Sequence, residues 1–182
     1  METHAVKVIA RIRSDFPEKF GIPRQSGLVP ELRAKVVFEP EFCSADALRG
    51  IEGFSHLWLI WQFSAAVRDT WSPTVRPPRL GGNERVGVFA TRSPFRPNAI
   101  GLSCVKLEGV RHEDGLGDVL IVSGADLMDG TPIYDVKPYL PYADAHPEAL
   151  GGFAPSPKET IAVDCPPELL AKLPEGRREA LL

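Results

Sequence analysis

The 182-residue sequence is poor in the residues that most often carry metal or covalent chemistry. Its three cysteines, Cys43, Cys104 and Cys165, stand far apart with no Cys-x-x-Cys pair, which argues against a zinc ribbon or a disulfide framework. The four histidines, His4, His56, His112 and His146, are scattered, with no His-Glu-x-x-His spacing, and no metal site is expected. His56 reads as a satisfied core histidine and Cys104 as a small buried side chain in a strand. The sequence also lacks a G-x-G-x-x-G, a phosphate-binding P-loop and a G-x-S-x-G elbow. With no apolar N-terminal leader-like stretch and no run of 18 apolar residues, neither secretion nor a membrane span is expected. The expected compartment is a reducing cytoplasm. Helical periodicity is absent before Pro166, which disfavours a helix-alternating α/β sheet.

Proline (18) and glycine (16) are abundant instead. Proline breaks helix interiors, so a folded chain rich in turns is expected. The net charge of −3 provides no overall field attractive to nucleic acid. Its distribution is uneven. Residues 68–96 hold six arginines against Asp69 and Glu84, whereas the chain from Pro141 onward is acidic. Between Val36 and Val105 every basic residue is Arg, the side chain whose planar fork binds carboxylate and phosphate and stacks on flat groups.

Short stretches with strand character recur along the chain: residues 5–12, 32–38, 54–63, 85–90, 100–107, 119–122 and 133–136. Turn signals separate them, which points to an all-β sandwich or barrel with long loops and few short helices. Residues 45–49 read as one helical turn capped by Ser44. Residues 143–158 read as a linker, 160–164 as a strand and 166–173 as a helix beginning on proline.

Three segments carry more constraint than a core requires. GIPRQSG (21–27) is a stiff polar loop suited to presenting Arg24 and Gln25. TVRPPRLGGNERVGVFATRSPFRPNAIG (74–101) sets its arginines on proline-stiffened backbone. DLMDGTPIYDVKPYLPY (126–142) contains an Asp-Gly turn and three neighbouring aspartates, open to reading either as a ligand turn or as a hairpin that caps its own backbone.

These segments, with KVIARIRSDFPEKF and ALRGIEGFSHLWLIWQF, resemble the TrmO (TsaA-like) tRNA methyltransferases over about residues 5–145. The resemblance implies a closed β-barrel, over residues 1–145, that binds S-adenosyl-L-methionine. It also implies a linker over 146–158 and, from 159 to 182, the beginning of a small C-terminal domain cut short. The implied reaction is methylation of N6 of threonylcarbamoyl-adenosine beside the anticodon of tRNA, by a homodimer in the cytoplasm. Carried over motif by motif, the implied cofactor residues are Pro23, Arg24, Gln25, Ser64, Ala65, Arg92, Leu102, Asp129, Gly130, Thr131 and Pro132. At Ser64-Ala65 family members often place a His and a polar residue, and this chain departs from them. Arg76, Arg79 and Arg96 are candidates for tRNA phosphate contacts. A catalytic base is not assigned, and Asp126, Asp129, Asp135 and Tyr142 stay open. The alternative is a non-catalytic cofactor- or RNA-binding module.

Overall fold

The computed structural model describes residues 2–157 and 164–173. By internal contacts the chain divides into two units, Met1–Ala145 and His146–Leu182. In the second unit the described regular element is the helix α2, Pro167–Leu170. The expected strand at 160–164 falls almost entirely, and the apolar end at 180–182 wholly, outside the described residues.

The first unit holds β1 (Ala10–Arg13), β2 (Arg33–Phe38), β3 (His56–Gln62), β4 (Thr74–Val75), β5 (Val86–Gly87), β6 (Ile100–Glu113), β7 (Gly117–Ser123) and β8 (Pro132–Pro138), then the short helix α1 (Pro141–Asp144). Six strands pair antiparallel in the order β1-β2-β7-β6-β3-β8. The expectation of one closed barrel collecting all the short strands is corrected here. The order returns on itself through a β1–β8 seam of only two residue pairs, Ala10↔Ile133 and Arg11↔Pro132. Pro132 has no N–H to extend that ladder. The stretch 85–90 leaves the six-stranded sheet altogether. Its β5 pairs with β4, from a segment read as loop, in a separate two-stranded ribbon.

Period-two alternation builds the core. In β3, Leu57, Leu59 and Trp61 point inward while His56, Trp58 and Ile60 face outward. His56 is therefore not a core histidine; Ser55 Oγ lies 2.9 Å from its Nδ1, and the Tyr139 ring stands edge-on at 6.2 Å. Ile12, Val36, Val105, Leu120 and Ile133 close around the β3 side chains. Each such burial stabilises the fold by about 1.5–3 kcal/mol. The turn at 45–49 forms as a 3-10 turn, Ala45–Leu48, but the Ser44 side chain makes no capping bond.

Trp61 sits across the strand from Gly101. A Cβ at Gly101 would lie 2.3 Å from Trp61 Cε2, so the indole occupies the space that glycine leaves. We expect Gly101→Ala to cost about 1–3 kcal/mol by overpacking. Gly53→Ala, where nothing lies within 4 Å of the added carbon, should stay within about 0.5 kcal/mol of the parent. Denaturant midpoints of the two variants check this.

Candidate functional site

The loop carrying Pro23, Arg24 and Gln25 joins β1 to β2 and is held by glycine packing. Gly27 donates its N–H to Gly124 O at 2.8 Å. Gly124 has φ +72°, and a Cβ there would come within 3.2 Å of Gly27 Cα. Two bare backbones can meet at this point where two side chains could not. That contact lays residues 24–26 beside Ala125 and Asp126.

Arg92 reaches the same loop from the opposite direction. Its Nη1 donates to Gln25 Oε1 at 2.5 Å. Its backbone is set by Thr91, whose hydroxyl donates to Val88 O and accepts from Ser93 N–H. Arg24 and Arg92 are both exposed, and neither is in an ion pair among the described residues.

Beneath them runs a chain of hydrogen bonds that sequence reading missed. Trp61 Nε1 donates to Ser103 Oγ at 2.9 Å, and the Ser103 hydroxyl donates to Asp126 Oδ1 at 2.5 Å. The backbone N–H of Ser26 also reaches the Asp126 carboxylate. Burial raises the Asp126 carboxyl above its usual range; the bonds from Ser103 and Ser26 and the charge of Arg92 oppose that shift without overcoming it. Gly101 and Ser103 take inward positions of β6, beside the apolar Val105 and Leu107.

The remaining candidates lie elsewhere. Leu102 is 56% exposed, on the outer face of β6 opposite Ile60. Ser64 and Ala65 are exposed in the 3-10 turn that follows β3, and the neighbouring Phe63 N–H bonds to Ala99 O. The 129–132 turn belongs to β1. Asp129 Oδ1 accepts from Ser14 N–H, and Arg13 Nη1 lies 3.7 Å from Asp129 Oδ2. The N–H groups of Asp129, Gly130 and Thr131 go to Phe16, Ile12 and Met128 carbonyls. The carbonyls of Met128, Gly130 and Thr131 are taken as well, by Thr131, Arg11 and Ile12, so the turn is tied to β1 by both donors and acceptors. Thr131 is buried, its hydroxyl donating to Met128 O, and Pro132 pairs with Arg11 in the seam.

Among the tRNA candidates, Arg96 folds inward, donating to Thr91 O at 2.6 Å and Val88 O at 3.3 Å. Arg76 and Arg79 are exposed on and beside the 3-10 turn Pro78–Leu80. Of the aspartates weighed as bases, Asp135 pairs with Lys137 at 2.8 Å and accepts from Val136 N–H. Tyr142 is 88% exposed on α1. Burial, with the Asp144 charge adding to it, pushes the Cys104 thiol up, which disfavours the nucleophilic thiolate. No group of three potential metal ligands occurs among the described residues.

Arg24 and Arg92 are thus exposed beside one another's loops, Arg92 bonded to Gln25 and its charge felt by Asp126, and guanidinium forks of this kind suit a carboxylate. This architecture is that of a methyltransferase domain outside the doubly wound class. The family model of the tRNA-methyltransferase O N-terminal domain matches residues 11–145, and the chain belongs to that family.

The tRNA (adenine(37)-N6)-methyltransferase of Escherichia coli K12 is 47% identical over 175 residues, covering 95% of this chain and 74% of the relative. A Pseudomonas aeruginosa protein provisionally named S-adenosylmethionine-dependent methyltransferase RcsF is 51% identical over 162 residues, covering 89% of this chain and 68% of the relative. A crystal structure of TrmO from Pseudomonas aeruginosa superposes with TM-score 0.73 at 45% identity, over 88% of this chain and 67% of that one. The chain thus spans about two thirds to three quarters of these relatives.

A carboxyl whose pKa is raised on folding binds its proton more tightly in the folded state. Its contribution to stability is therefore present at low pH and lost as pH rises through the raised value. Asp126→Asn, which keeps an acceptor for Ser103 and Ser26, should flatten the stability–pH curve just above the usual carboxylate range. Thermal melts across pH check this.

Proposed function

We propose that this chain methylates N6 of adenosine 37 in tRNA, taking the methyl group from S-adenosyl-L-methionine. Family membership supports the enzyme class and the cofactor, and the Escherichia coli relative is named for this reaction. The observation that carries the reading is the Arg92–Gln25 contact, which joins two of the matched segments above Asp126.

When bound, the cofactor supplies an electrophilic methyl group on a sulfonium. The residues of this chain do the rest. Arg92 and Arg24 hold the cofactor carboxylate, Gln25 fixes the plane of the Arg92 guanidinium, and Asp126 keeps the 24–26 loop in place through Ser26. The main contribution is orientation, holding the nitrogen in line with the methyl carbon at near-attack distance.

The finer substrate we infer is tRNA carrying threonylcarbamoyl-adenosine at position 37. As its N6 gains a methyl group it loses a proton. Of the four side chains weighed as proton acceptor, Asp126 is the one beside Arg92 and the 24–26 loop. Arg76 and Arg79 are proposed to meet tRNA phosphates, and the outer-face Leu102 and the Ser64-Ala65 turn to complete the cofactor site. Action as a homodimer in the cytoplasm belongs to the same proposal.

Labelled cofactor incubated with the protein and with tRNA carrying or lacking the carbamoyl group should give transfer only to the carbamoylated tRNA. Transfer to neither sinks the reading; equal transfer to both sinks the finer substrate. Arg92→Ala should weaken calorimetric cofactor binding about ten- to a hundredfold, as expected for loss of hydrogen bonds to a charged group. Unchanged affinity would remove Arg92 from the site.

A further inference from the structure

The ribbon of β4 and β5 carries an exposed aromatic pair that the cofactor site leaves unused. Trp71 is 52% exposed and Phe89 70% exposed. Their rings lie 6.2 Å apart between centroids with planes only 28° from parallel. Two large rings this open to water and set face to face form a candidate interaction surface.

Their placement is built into the ribbon. Thr74 pairs with Gly87 and Val75 with Val86, and Val88 N–H bonds to Pro73 O at 2.9 Å. Val88 is fully buried and anchors the 3-10 turn Val88–Ala90, so its neighbour Phe89 is turned outward beside Trp71.

Arginines outnumber the two acids of this segment, Asp69 and Glu84, and two of them lie against aromatic rings. The Arg96 guanidinium lies 5.8 Å from the Phe89 ring centre, and the Arg68 guanidinium sits 3.6 Å over Phe95. Arg76 is exposed one residue beyond β4, and Arg85, one residue before β5, donates to Thr74 Oγ1. Exposed ring faces among arginines match the two features of an unstacked nucleic-acid strand, flat bases and phosphates. A purely apolar protein partner would have no use for the arginines. Phe89 also lies three residues before Arg92, so a base on these rings is held near the cofactor-binding arginine.

We propose that Trp71 and Phe89 form a stacking platform for an unpaired base of the tRNA loop that carries the methylated adenosine. This rests on the function proposed above, and it assigns loop recognition to the ribbon, not to the six-stranded sheet.

The test compares Trp71→Ala, Phe89→Ala and Trp71→Phe with the parent protein. Each alanine variant should raise KM for the carbamoylated tRNA about ten- to a hundredfold, the scale of base–aromatic stacking. The affinity for S-adenosyl-L-methionine should stay unchanged by calorimetry, which also reports that the variant is folded. Trp71→Phe should restore most of the loss. The salt dependence of tRNA binding should keep its slope, since no phosphate contact is removed.

Unchanged KM in both alanine variants overturns the platform. So does a matching loss of cofactor affinity, which would assign the rings to the cofactor. A shift in light-scattering mass would mean that a second copy of the chain covers them, and it overturns the platform too. If the parent transfers no methyl group to any tRNA, the proposed function fails by itself. Direct binding of the same tRNA to parent and variants then decides the platform separately.

Discussion

The half-buried carboxylate of Asp126 is the constraint on which the arrangement of this site depends. It takes the Ser103 hydroxyl on one side and the Ser26 N–H on the other, with Arg92 nearby. A carboxyl partly withdrawn from water is costly unless its lone pairs are used. Here the bonds that satisfy it come from three separate parts of the chain, the β1–β2 loop, β6 and its own segment. Satisfying one polar group therefore fixes the relative positions of the loop that presents Arg24 and of the sheet beneath it. The fixing extends inward, because Ser103 also receives the Trp61 indole N–H, and Trp61 fits only over Gly101.

The two glycine contacts do different work. At Gly101 a missing side chain makes room for an aromatic ring. At Gly124 it lets one backbone approach another, so that the 24–27 loop lies on the segment leading to Asp126. The proline-rich loops then need little ordering of their own when a ligand arrives. Arg96, by contrast, is bound to backbone carbonyls within the chain and helps hold the 88–91 turn. Its neighbour Arg92 is thereby left on a rigid base.

Much of the strand content was legible in the sequence, because inward and outward residues alternate with period two. Residues 32–38, 54–63 and 119–122 lie within a residue or two of β2, β3 and β7. Two features were not legible. The length of β6, running on to Glu113, depends on pairing with β7 past an irregularity near Gly109, and such pairing is not a local property. The separation of β4 and β5 from the main sheet is also a matter of partners, since two-residue strands carry no periodicity to read. At the candidate site, Arg24, Gln25 and Arg92 were named through motif resemblance, and the structure brings Gln25 and Arg92 together. Ser103 and Trp61 were not, because a serine and a tryptophan in a strand look like ordinary sheet residues until the register places them together. The Asp129 turn was open to reading as a ligand turn or as self-capping; its carboxylate instead accepts from Ser14 N–H, far away in sequence, which no local pattern could show.

The turn at 128–131 clamps the seam between β1 and β8. Its N–H groups reach across to Ile12 and Phe16, and Ile12 returns a bond to Thr131. The six-stranded sheet has its fewest paired residues there, so fewer ladder bonds oppose opening than between its other strands. A ligand resting on that turn would thus act as a latch on the whole sheet. Occupancy and folding are then linked, and the chain gains stability in proportion to the logarithm of ligand concentration.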